Sequence, residues 1–311
     1  MVQKNNLLYA DQMAVVWPEY QRQRHANPEK YALRSTGLRQ LDVILAGGIE
    51  LGQYVLIGGA QKSGKTTLLM KVAKTFGMQR VNSILFSAEM TNMQLGTMLF
   101  STYSGVERTK MRALGLEIAD WEKIEVAGKE IEKLTLAFDY GFSTINDIVY
   151  IIPEVEAKTG IPVQAIFGDY IHLMEDPTPG NNRMNEIARI SRGLKRLSNS
   201  LRDKEGNFHD PMAVIFAAQL NREAVKAQII ESTSFLGSGQ LERDMDIGMI
   251  ISKMKDDITA TRDHKFLRKV TVVDSRETDV GDCIVAYDGA TATISDKINI
   301  STNKPTSEHW K

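Results

Sequence analysis

One stretch of the chain has the residue types and spacing needed to hold a nucleotide phosphate. Residues 59–66 read G-A-Q-K-S-G-K-T and fit the pattern G-x-x-x-x-G-K-[ST] of a phosphate-binding P-loop. Glycines let backbone N–H groups turn toward phosphate oxygens, and the following helix N-terminus adds positive partial charge. Lys65 is expected to meet the β- and γ-phosphates, and the Thr66 hydroxyl to ligate Mg²⁺. The candidate nucleotide-binding residues are Gly59, Ala60, Gln61, Lys62, Ser63, Gly64, Lys65, Thr66 and Thr67.

The neighbouring sequence has the pattern that a P-loop requires. An apolar run at 54–57 is typical of a buried strand, and residues 67–73 are typical of a helix. Strand, glycine loop and helix in this order form the unit in which the motif works. A chance match in a glycine-rich turn is the alternative interpretation, and the strand and helix argue against it.

Three more polar residues come directly after predicted strands. Glu89 follows the apolar run at 82–87, Asp169 follows 163–168, and Gln219 follows 212–217. Helical segments separate these strands, and alternation of this kind predicts an α/β fold with a mostly parallel central sheet flanked by helices. Ligands bind at the carboxyl ends of the strands in such sheets. The three side chains and the P-loop are therefore expected to meet at one edge.

Each of these residues has a chemical role to fill and a plainer alternative. A P-loop site needs an acid in the metal shell and a group that orients water. Asp169 fits the metal shell, although it could be an ordinary acid at a strand end. Glu89 fits the base, although an acid just before a helix is also favoured by the helix dipole. Gln219 could sense the γ-phosphate or be a loop residue without that role.

The remaining sequence predicts an arm, one compact domain and a tail. Residues 1–33 form the arm, 34–297 the domain and 298–311 a polar, flexible tail. A helix is expected over 10–25, with Met13, Val16, Trp17 and Tyr20 along one apolar face. The arm packs either on its own domain or on a neighbouring subunit, and the sequence leaves both open.

Composition excludes several classes of protein. The chain has 311 residues, 42% of them hydrophobic and 25% charged, with a formal net charge of −1. No apolar run approaches the roughly 20 residues needed to span a bilayer, and the single cysteine, Cys283, cannot form an internal disulfide. These features predict a cytoplasmic protein with no membrane partner. Near-neutral charge means that any nucleic-acid contact comes from a local patch or from charges gathered in an oligomer.

Six motifs occur in an order that resembles one known family. The chain is similar to the C-terminal, RecA-like ATPase domain of the DnaB-like replicative helicases. The similarity runs from about 35 to 295. It rests on the entry to the P-loop and on the stretches F-S-A-E-M at 86–90, D-Y-I-H-L-M at 169–174, the helix at 182–195, Q-L-N-R at 219–222 and S-G-Q-L-E-R-D-M-D at 238–246.

This resemblance implies a RecA-like P-loop NTPase core with C-terminal β-hairpins, using ATP and Mg²⁺. It implies an ATP-dependent hexameric DNA helicase or translocase that moves on single-stranded DNA and hydrolyses ATP at subunit interfaces, with other replication proteins as further partners. Lys65 and Gln219 would act in catalysis, Glu89 would be the base, and Arg276 would reach a neighbour's site. DNA contacts are expected from Arg183, Arg222, Lys226, Ser238 and Gly239 in channel-facing loops.

The chain also departs from the family pattern. Where the family has K-x-R-N-G, residues 274–278 read D-S-R-E-T, so Arg276 is kept and Asp274 takes the lysine position. The family's D-L-R-E is replaced by S-F-L-G at 234–237, which removes an arginine from a DNA-facing loop. The short arm at 1–33 is expected to stand in place of the family's N-terminal domain, as in a phage or mobile-element version. These departures keep an alternative open, a RecA-like ATPase that acts as a loader, recombinase-type or assembly factor without unwinding DNA.

Overall fold

The computed structural model describes residues 9–27, 31–178, 182–199, 211–227, 231–254 and 265–296. The chain divides into two units, residues 1–33 and residues 34–311. In the first unit, helix α1 (Ala10–Ala26) continues through Pro18, and none of its residues is buried. Trp17 is 56% exposed. The helix predicted over 10–25 is therefore present, with its apolar side chains largely exposed.

The second unit is organised around a sheet that has nine strands in the described part of the chain. Their order is β3-β2-β4-β5-β1-β6-β7-β8-β9. Strands β1 to β6 pair in parallel, and β7 to β9 continue the sheet as antiparallel hairpins. The predicted α/β architecture is confirmed. The strands are β1 Tyr54–Gly59, β2 Ser83–Ser87, β3 Leu136–Tyr140, β4 Ala165–Asp169, β5 Ala213–Gln219, β6 Ile247–Lys253, β7 Lys265–Ser275, β8 Gly281–Asp288 and β9 Thr293–Asp296.

Helices cover both faces of this sheet. They are α2 Arg39–Ile44, α3 Lys65–Met78, α4 Asn92–Ser104, α5 Arg108–Arg112, α6 Ile118–Ile131, α7 Ile145–Thr159, α8 Arg183–Ser198, α9 Arg222–Ala227 and α10 Ser238–Asp244, with short 3₁₀ turns at Ile171–Leu173 and Ser232–Ser234. Among the described residues, no helix combines the length and apolar character needed to cross a membrane.

Strand β1 shows why the fold is layered. Its side chains alternate between two apolar clusters, with Val55 and Ile57 in one and Tyr54 and Leu56 in the other. Successive side chains of a strand point to opposite faces, so a strand buried on both faces must be apolar throughout. The first cluster contains α3 and the second contains α8. The P-loop strand is therefore the centre of the core.

Several boundaries differ from the sequence prediction. The apolar run at 134–138 predicts a third strand, but the strand begins at Leu136, because the Leu134 N–H still donates to the Ile131 carbonyl oxygen at the end of α6. Ser238 and Gly239 lie in the first turn of α10, not in a loop, and Gly237, with a φ of 80°, is the N-cap residue just before this helix. Residues 220–235, which the family resemblance places in a channel-facing loop, contain α9 and a 3₁₀ turn. The helical pattern breaks at 204–210 and predicts a loop there; this stretch and the predicted tail at 298–311 lie outside the described residues.

Candidate nucleotide-binding and catalytic site

A cavity of about 480 Å³ opens where β1, β2, β4 and β5 end. These strands pair in parallel, so their carboxyl ends meet at one edge of the sheet. The structure brings together nine of the residues singled out from the sequence. They are Gln61, Lys62, Gly64, Lys65, Thr66, Thr67, Glu89, Asp169 and Gln219.

The P-loop backbone leaves space that a larger residue would close. A Cβ added to Gly59 would collide with the Ser63 hydroxyl and lie 2.9 Å from the Ile251 carbonyl oxygen. Gly64 has a φ of 110°, which side chains other than hydrogen rarely allow. Helix α3 begins immediately after it, at Lys65. The loop therefore presents its backbone and the N-terminus of α3 to the cavity, as phosphate binding requires.

Lys65 bends back over this loop. Its Nζ donates to the carbonyl oxygens of Gly59 at 2.8 Å and Ala60 at 2.9 Å. Burial lowers the pKa of Lys65, while the charges of Asp169 and Glu89 act in the opposite direction. The ammonium group is therefore held at the mouth of the loop, where phosphate oxygens can replace the two carbonyls as its partners.

Thr66 and Asp169 form an oxygen-rich pair beside the loop. The Thr66 hydroxyl donates to Asp169 Oδ2 at 2.8 Å, and Asp169 is 2% exposed. Burial raises the pKa of Asp169 to about 6, with Glu89 adding to the shift and Thr66 and Lys65 opposing it. Mg²⁺ prefers oxygen ligands and is held by one or two carboxylates together with substrate phosphates and water. A hydroxyl and a carboxylate at this spacing fit that requirement.

No group of three or more His, Cys, Asp or Glu side chains that could hold a metal occurs among the described residues. The paired oxygen atoms of Thr66 and Asp169 suit a hard cation shared with a nucleotide.

Glu89 lies in the turn after β2, with its side chain exposed to the cavity. Two hydrogen bonds fix this turn. Ala88 N–H donates to the Asp169 carbonyl oxygen at 3.0 Å, and Met90 N–H donates to Ser87 Oγ at 2.8 Å. The turn that carries Glu89 is therefore hydrogen-bonded to the backbone of Asp169, while the Glu89 carboxylate is exposed.

Gln219 ends β5 at the same edge, and its side chain is hydrogen-bonded to Tyr170. Its backbone N–H donates to His172 Nδ1 at 3.4 Å, and its carbonyl oxygen accepts from Leu236 N–H at 2.9 Å. The side chain thus faces the cavity, while the backbone of the same residue binds to segments behind it.

Arg276 lies near the amino-terminal ends of the parallel strands, opposite the carboxyl ends that carry the cavity. It follows Ser275, which pairs with Ile247, the first residue of β6, where the parallel strands begin. Its Nε donates to the Met245 carbonyl oxygen at 3.2 Å and lies 3.5 Å from Asp246 Oδ1. Arg276 is the one predicted catalytic residue that is not brought to the cavity of its own chain.

The residues predicted to bind DNA have different surroundings. Arg183 donates to the carbonyl oxygens of His172 at 2.7 Å and Met174 at 2.8 Å, and it pairs with Glu186 at 2.5 Å. Its side chain is still 44% exposed. Gly239 is exposed in the first turn of α10. The side chains of Arg222, Lys226 and Ser238 lie outside what the structure describes.

Five further residues line the cavity and were not picked out from the sequence, namely Met90, Met98, Arg108, Tyr170 and Tyr287. Tyr170 directly follows Asp169, so its position in the motif was a usable signal.

Tyr287 comes from β8, and its ring would lie 3.2 Å from a Cβ on Gly64. Arg268 stacks on this ring at 4.5 Å and donates to the Ser63 carbonyl oxygen at 3.1 Å. Strands β7 and β8, which come late in the sequence, therefore contact the P-loop through Arg268 and Tyr287.

Residues 34–296 match the family described as "DnaB-like helicase C terminal domain". The chain belongs to this family. The match includes every strand of the sheet and every residue that lines the cavity. The RecA-like fold expected from the motifs is therefore confirmed.

Similar DnaB proteins cover most of this chain. It is 28% identical over 237 residues to a replicative DNA helicase DnaB of Treponema pallidum, covering 75% of this chain and 51% of that protein. It is 30% identical over 223 residues to a replicative DNA helicase DnaB of Haemophilus influenzae, covering 70% of this chain and 45% of that protein. The DnaB-like chain thus spans about half the length of the curated relatives that it matches.

Solved structures share the DnaB-like fold. A solved ATPase domain superposes with a TM-score of 0.78 at 21% identity, covering 92% of this chain and 99% of the other. A DnaB-like replicative helicase, solved in a study of its interactions with primase, superposes with a TM-score of 0.75 at 21% identity. The superposition covers 96% of this chain and 69% of that one. At this identity the likeness establishes the fold.

Proposed function

We propose that this chain is an ATP-dependent DNA helicase or translocase motor that moves on single-stranded DNA as a hexamer. One observation carries the proposal, the convergence of Lys65, Thr66, Asp169, Glu89 and Gln219 on a single cavity at the carboxyl edge of the sheet. Family membership supports it, because the similar proteins of Treponema pallidum and Haemophilus influenzae are named replicative DNA helicases.

The chain's own residues divide the work of ATP hydrolysis. Thr66 and Asp169 would hold Mg²⁺, which would neutralise charge on the phosphates. Lys65 exchanges its bonds to Gly59 and Ala60 for bonds to phosphate oxygens. Glu89 orients the attacking water and accepts its proton, because its carboxylate is exposed to the cavity in a turn that hydrogen bonds fix.

Arg276 completes the site of a neighbouring subunit. It lies at the edge opposite its own cavity, which supports action in trans, and an arginine there would stabilise charge on the transferred phosphoryl group. A neighbour is therefore part of each site, which favours a ring in which ATP is hydrolysed at every interface.

The remaining parts of the chain have proposed roles around this motor. Residues 34–297 carry the ATPase, residues 1–33 form an arm, and 298–311 a tail. Arg183, Arg222, Lys226, Ser238 and Gly239 would face DNA in the channel. A few phosphate contacts per subunit suffice, since affinity grows with the total number of contacts around the ring. Other replication proteins are further partners, and the site of action is the cytoplasm.

The first test is replacement of the P-loop lysine. Lys65→Ala should lower ATP turnover by about 10²–10³-fold, since a preorganised cationic donor is lost from the phosphates. Steady-state phosphate release measures it. Lys133→Ala, which removes an exposed lysine paired to Glu130, serves as the control and should leave turnover unchanged. Full turnover by Lys65→Ala would contradict the site assignment.

The second test separates binding from hydrolysis. Glu89→Gln should retain ATP binding and lose about 10²–10⁴-fold in hydrolysis, because the amide cannot accept a proton. Binding of a fluorescent nucleotide measures the affinity for ATP, and phosphate release from the same sample measures the rate of hydrolysis. A near-normal hydrolysis rate would remove Glu89 from the role of base.

A strand-displacement assay on a forked duplex decides whether the ATPase unwinds DNA. The helicase proposal expects ATP-dependent displacement by wild-type protein and none by Lys65→Ala. ATP turnover that is stimulated by single strands without displacement would instead identify a loader, recombinase-type or assembly factor.

A further inference from the structure

Three hydrogen bonds form a closed ring behind the candidate sensor residue. Gln219 N–H donates to His172 Nδ1 at 3.4 Å, and Leu236 N–H donates to the Gln219 carbonyl oxygen at 2.9 Å. The third bond joins His172 Nε2 to the Leu236 carbonyl oxygen at 2.9 Å. Each of the three residues is thus bound to both of the others.

The partners of His172 define its protonation. A backbone N–H can only donate and a carbonyl oxygen can only accept, so Nδ1 must be the acceptor and Nε2 must carry the proton. The ring is therefore satisfied by neutral imidazole in one tautomer. Burial lowers the pKa of His172, the Leu236 carbonyl opposes this, and the charges of Arg183 and Lys65 lower the pKa further.

The ring connects two surfaces with different proposed roles. On one side, the Gln219 side chain faces the nucleotide cavity. On the other side, Leu236 ends a segment that leads directly into Gly237 and helix α10, where Gly239 is exposed. The end of β5 is thus joined to this segment both directly, through the Leu236 N–H, and through the His172 ring.

The segment before α10 is also bonded to β5, which makes it a single unit with the sensor strand. Asn221 N–H donates to the Ser234 carbonyl oxygen at 2.8 Å, and Leu220 and Phe235 form an antiparallel bridge. Phe235 is fully buried and lies close to Gly58 of β1, since a Cβ added there would come within 2.7 Å of its ring. The segment is thus anchored on the P-loop strand as well.

We propose that His172 is a positioning residue that couples the nucleotide cavity to the DNA-facing segment 231–239. This inference rests on the proposed function, because it requires a nucleotide on one side and single-stranded DNA on the other. An amide can also accept through its oxygen and donate through its nitrogen, so glutamine can form the same two bonds.

Two substitutions separate hydrogen bonding from packing. His172→Phe keeps an aromatic ring of similar size and removes both bonds, whereas His172→Gln keeps an acceptor and a donor. ATP turnover is measured for each protein with and without an oligothymidylate strand as probe. The ratio of the two rates reports coupling, and thermal unfolding shows that each variant is folded.

Wild type and His172→Gln should show DNA-stimulated turnover. His172→Phe should keep its basal turnover and its KM for ATP while its stimulation falls by about fivefold or more, the lower range of coupling between two sites. If His172→Phe does not fold, His172→Asn carries the test, because its shorter amide cannot span both partners and should lose the same stimulation.

Two kinds of result would overturn the inference, and they differ in what else they reject. Undiminished stimulation in folded His172→Phe or His172→Asn would reject the role of His172 and leave the proposed function intact. No stimulation of wild type by the strand would reject DNA coupling, and the proposed function with it. Loss of stimulation in His172→Gln equal to that in His172→Phe would also reject the role of His172, since the hydrogen bonds would then not be the cause.

Discussion

Burial at the end of β4 changes how strongly Asp169 holds a proton. Its pKa is raised from 3.8 to about 6, first by burial and then by the charge of Glu89. Between these two values the folded chain binds a proton that the unfolded chain does not, so the free energy of unfolding falls as pH rises through this window. The ionised form of Asp169 therefore lowers stability at neutral pH until a cation compensates its charge.

Asp169→Asn should consequently stabilise the metal-free protein at pH 8. The rise in the Asp169 pKa from 3.8 to about 6 corresponds to a gain of about 1–3 kcal/mol in the free energy of unfolding when the charge is removed. The amide oxygen can still accept from Thr66. Urea unfolding in the presence of EDTA, repeated from pH 8 to pH 5, measures the difference between the variant and wild type, which should shrink as pH falls.

Asp282→Asn provides a control of opposite sign. Burial raises the pKa of Asp282, but hydrogen bonds from Thr271 at 2.6 Å and Lys269 at 3.1 Å outweigh it, so the pKa is lowered overall. A lowered carboxyl pKa stabilises the fold at neutral pH, and this contribution is lost as pH falls. Asp282→Asn should therefore be less stable than wild type at pH 8. A pH-independent difference for Asp169→Asn would contradict the assignment.

At the scale of elements, two glycines are predicted to respond to alanine in opposite ways. Gly168 lies in β4, and a Cβ there would collide with the ring of Phe216, which is fully buried in the adjacent strand β5. Overpacking of this kind costs about 1–3 kcal/mol. Gly96 lies in helix α4, where a Cβ would meet no heavy atom within 4 Å. Removing a glycine from a helix interior gains about 1 kcal/mol.

Gly168→Ala should therefore lower the urea midpoint and Gly96→Ala should raise it, with the same dependence on denaturant. Each variant is the control for the other, because both add one methyl group. Wild-type stability in Gly168→Ala would show that β4 and β5 are packed less tightly than the structure indicates.

The nucleotide side of the site could be predicted from sequence because its signals are local. The P-loop pattern is contiguous, and Glu89, Asp169 and Gln219 each come at the end of an apolar run in the sequence. Parallel pairing then requires their convergence. By contrast, Tyr287 reaches Gly64 only because β8 pairs with β7 and β7 with β6. Sequence patterns do not specify such pairings.

The start of α10 and the position of Arg276 also depend on tertiary contacts that sequence patterns do not specify. The first turn of α10 could not be distinguished from a loop, since Gly237 and Gly239 are poor helix formers and only the tertiary contacts decide. Arg276 was recognised by resemblance, but its location at the far edge of the sheet depends on the antiparallel register of β6 and β7.

For the whole molecule, Arg276 and Lys65 are predicted to act in the same site from different subunits. Arg276→Ala and Lys65→Ala should each be inactive alone. A mixture should recover part of the ATP turnover, because some interfaces then pair an intact Lys65 with an intact Arg276. Phosphate release measured over a series of mixing ratios shows the recovery.

Mixing Lys65→Ala with Glu89→Gln is the matched control. Both residues line the cavity of one chain, so every site in that mixture contains one of the two defects and no turnover should return. Absence of recovery with Arg276→Ala at all ratios would argue against action between subunits.

The hydrogen-bond ring of His172, Gln219 and Leu236 also has a genetic consequence. Histidine and glutamine codons share their first two bases, so one change in the third base exchanges the two residues. Both side chains offer an acceptor and a donor to the same backbone partners, and the exchange therefore preserves the connection. What it adds is a group that gains charge in acid. Histidine at this position therefore adds to the hydrogen-bond ring a side chain whose charge depends on pH.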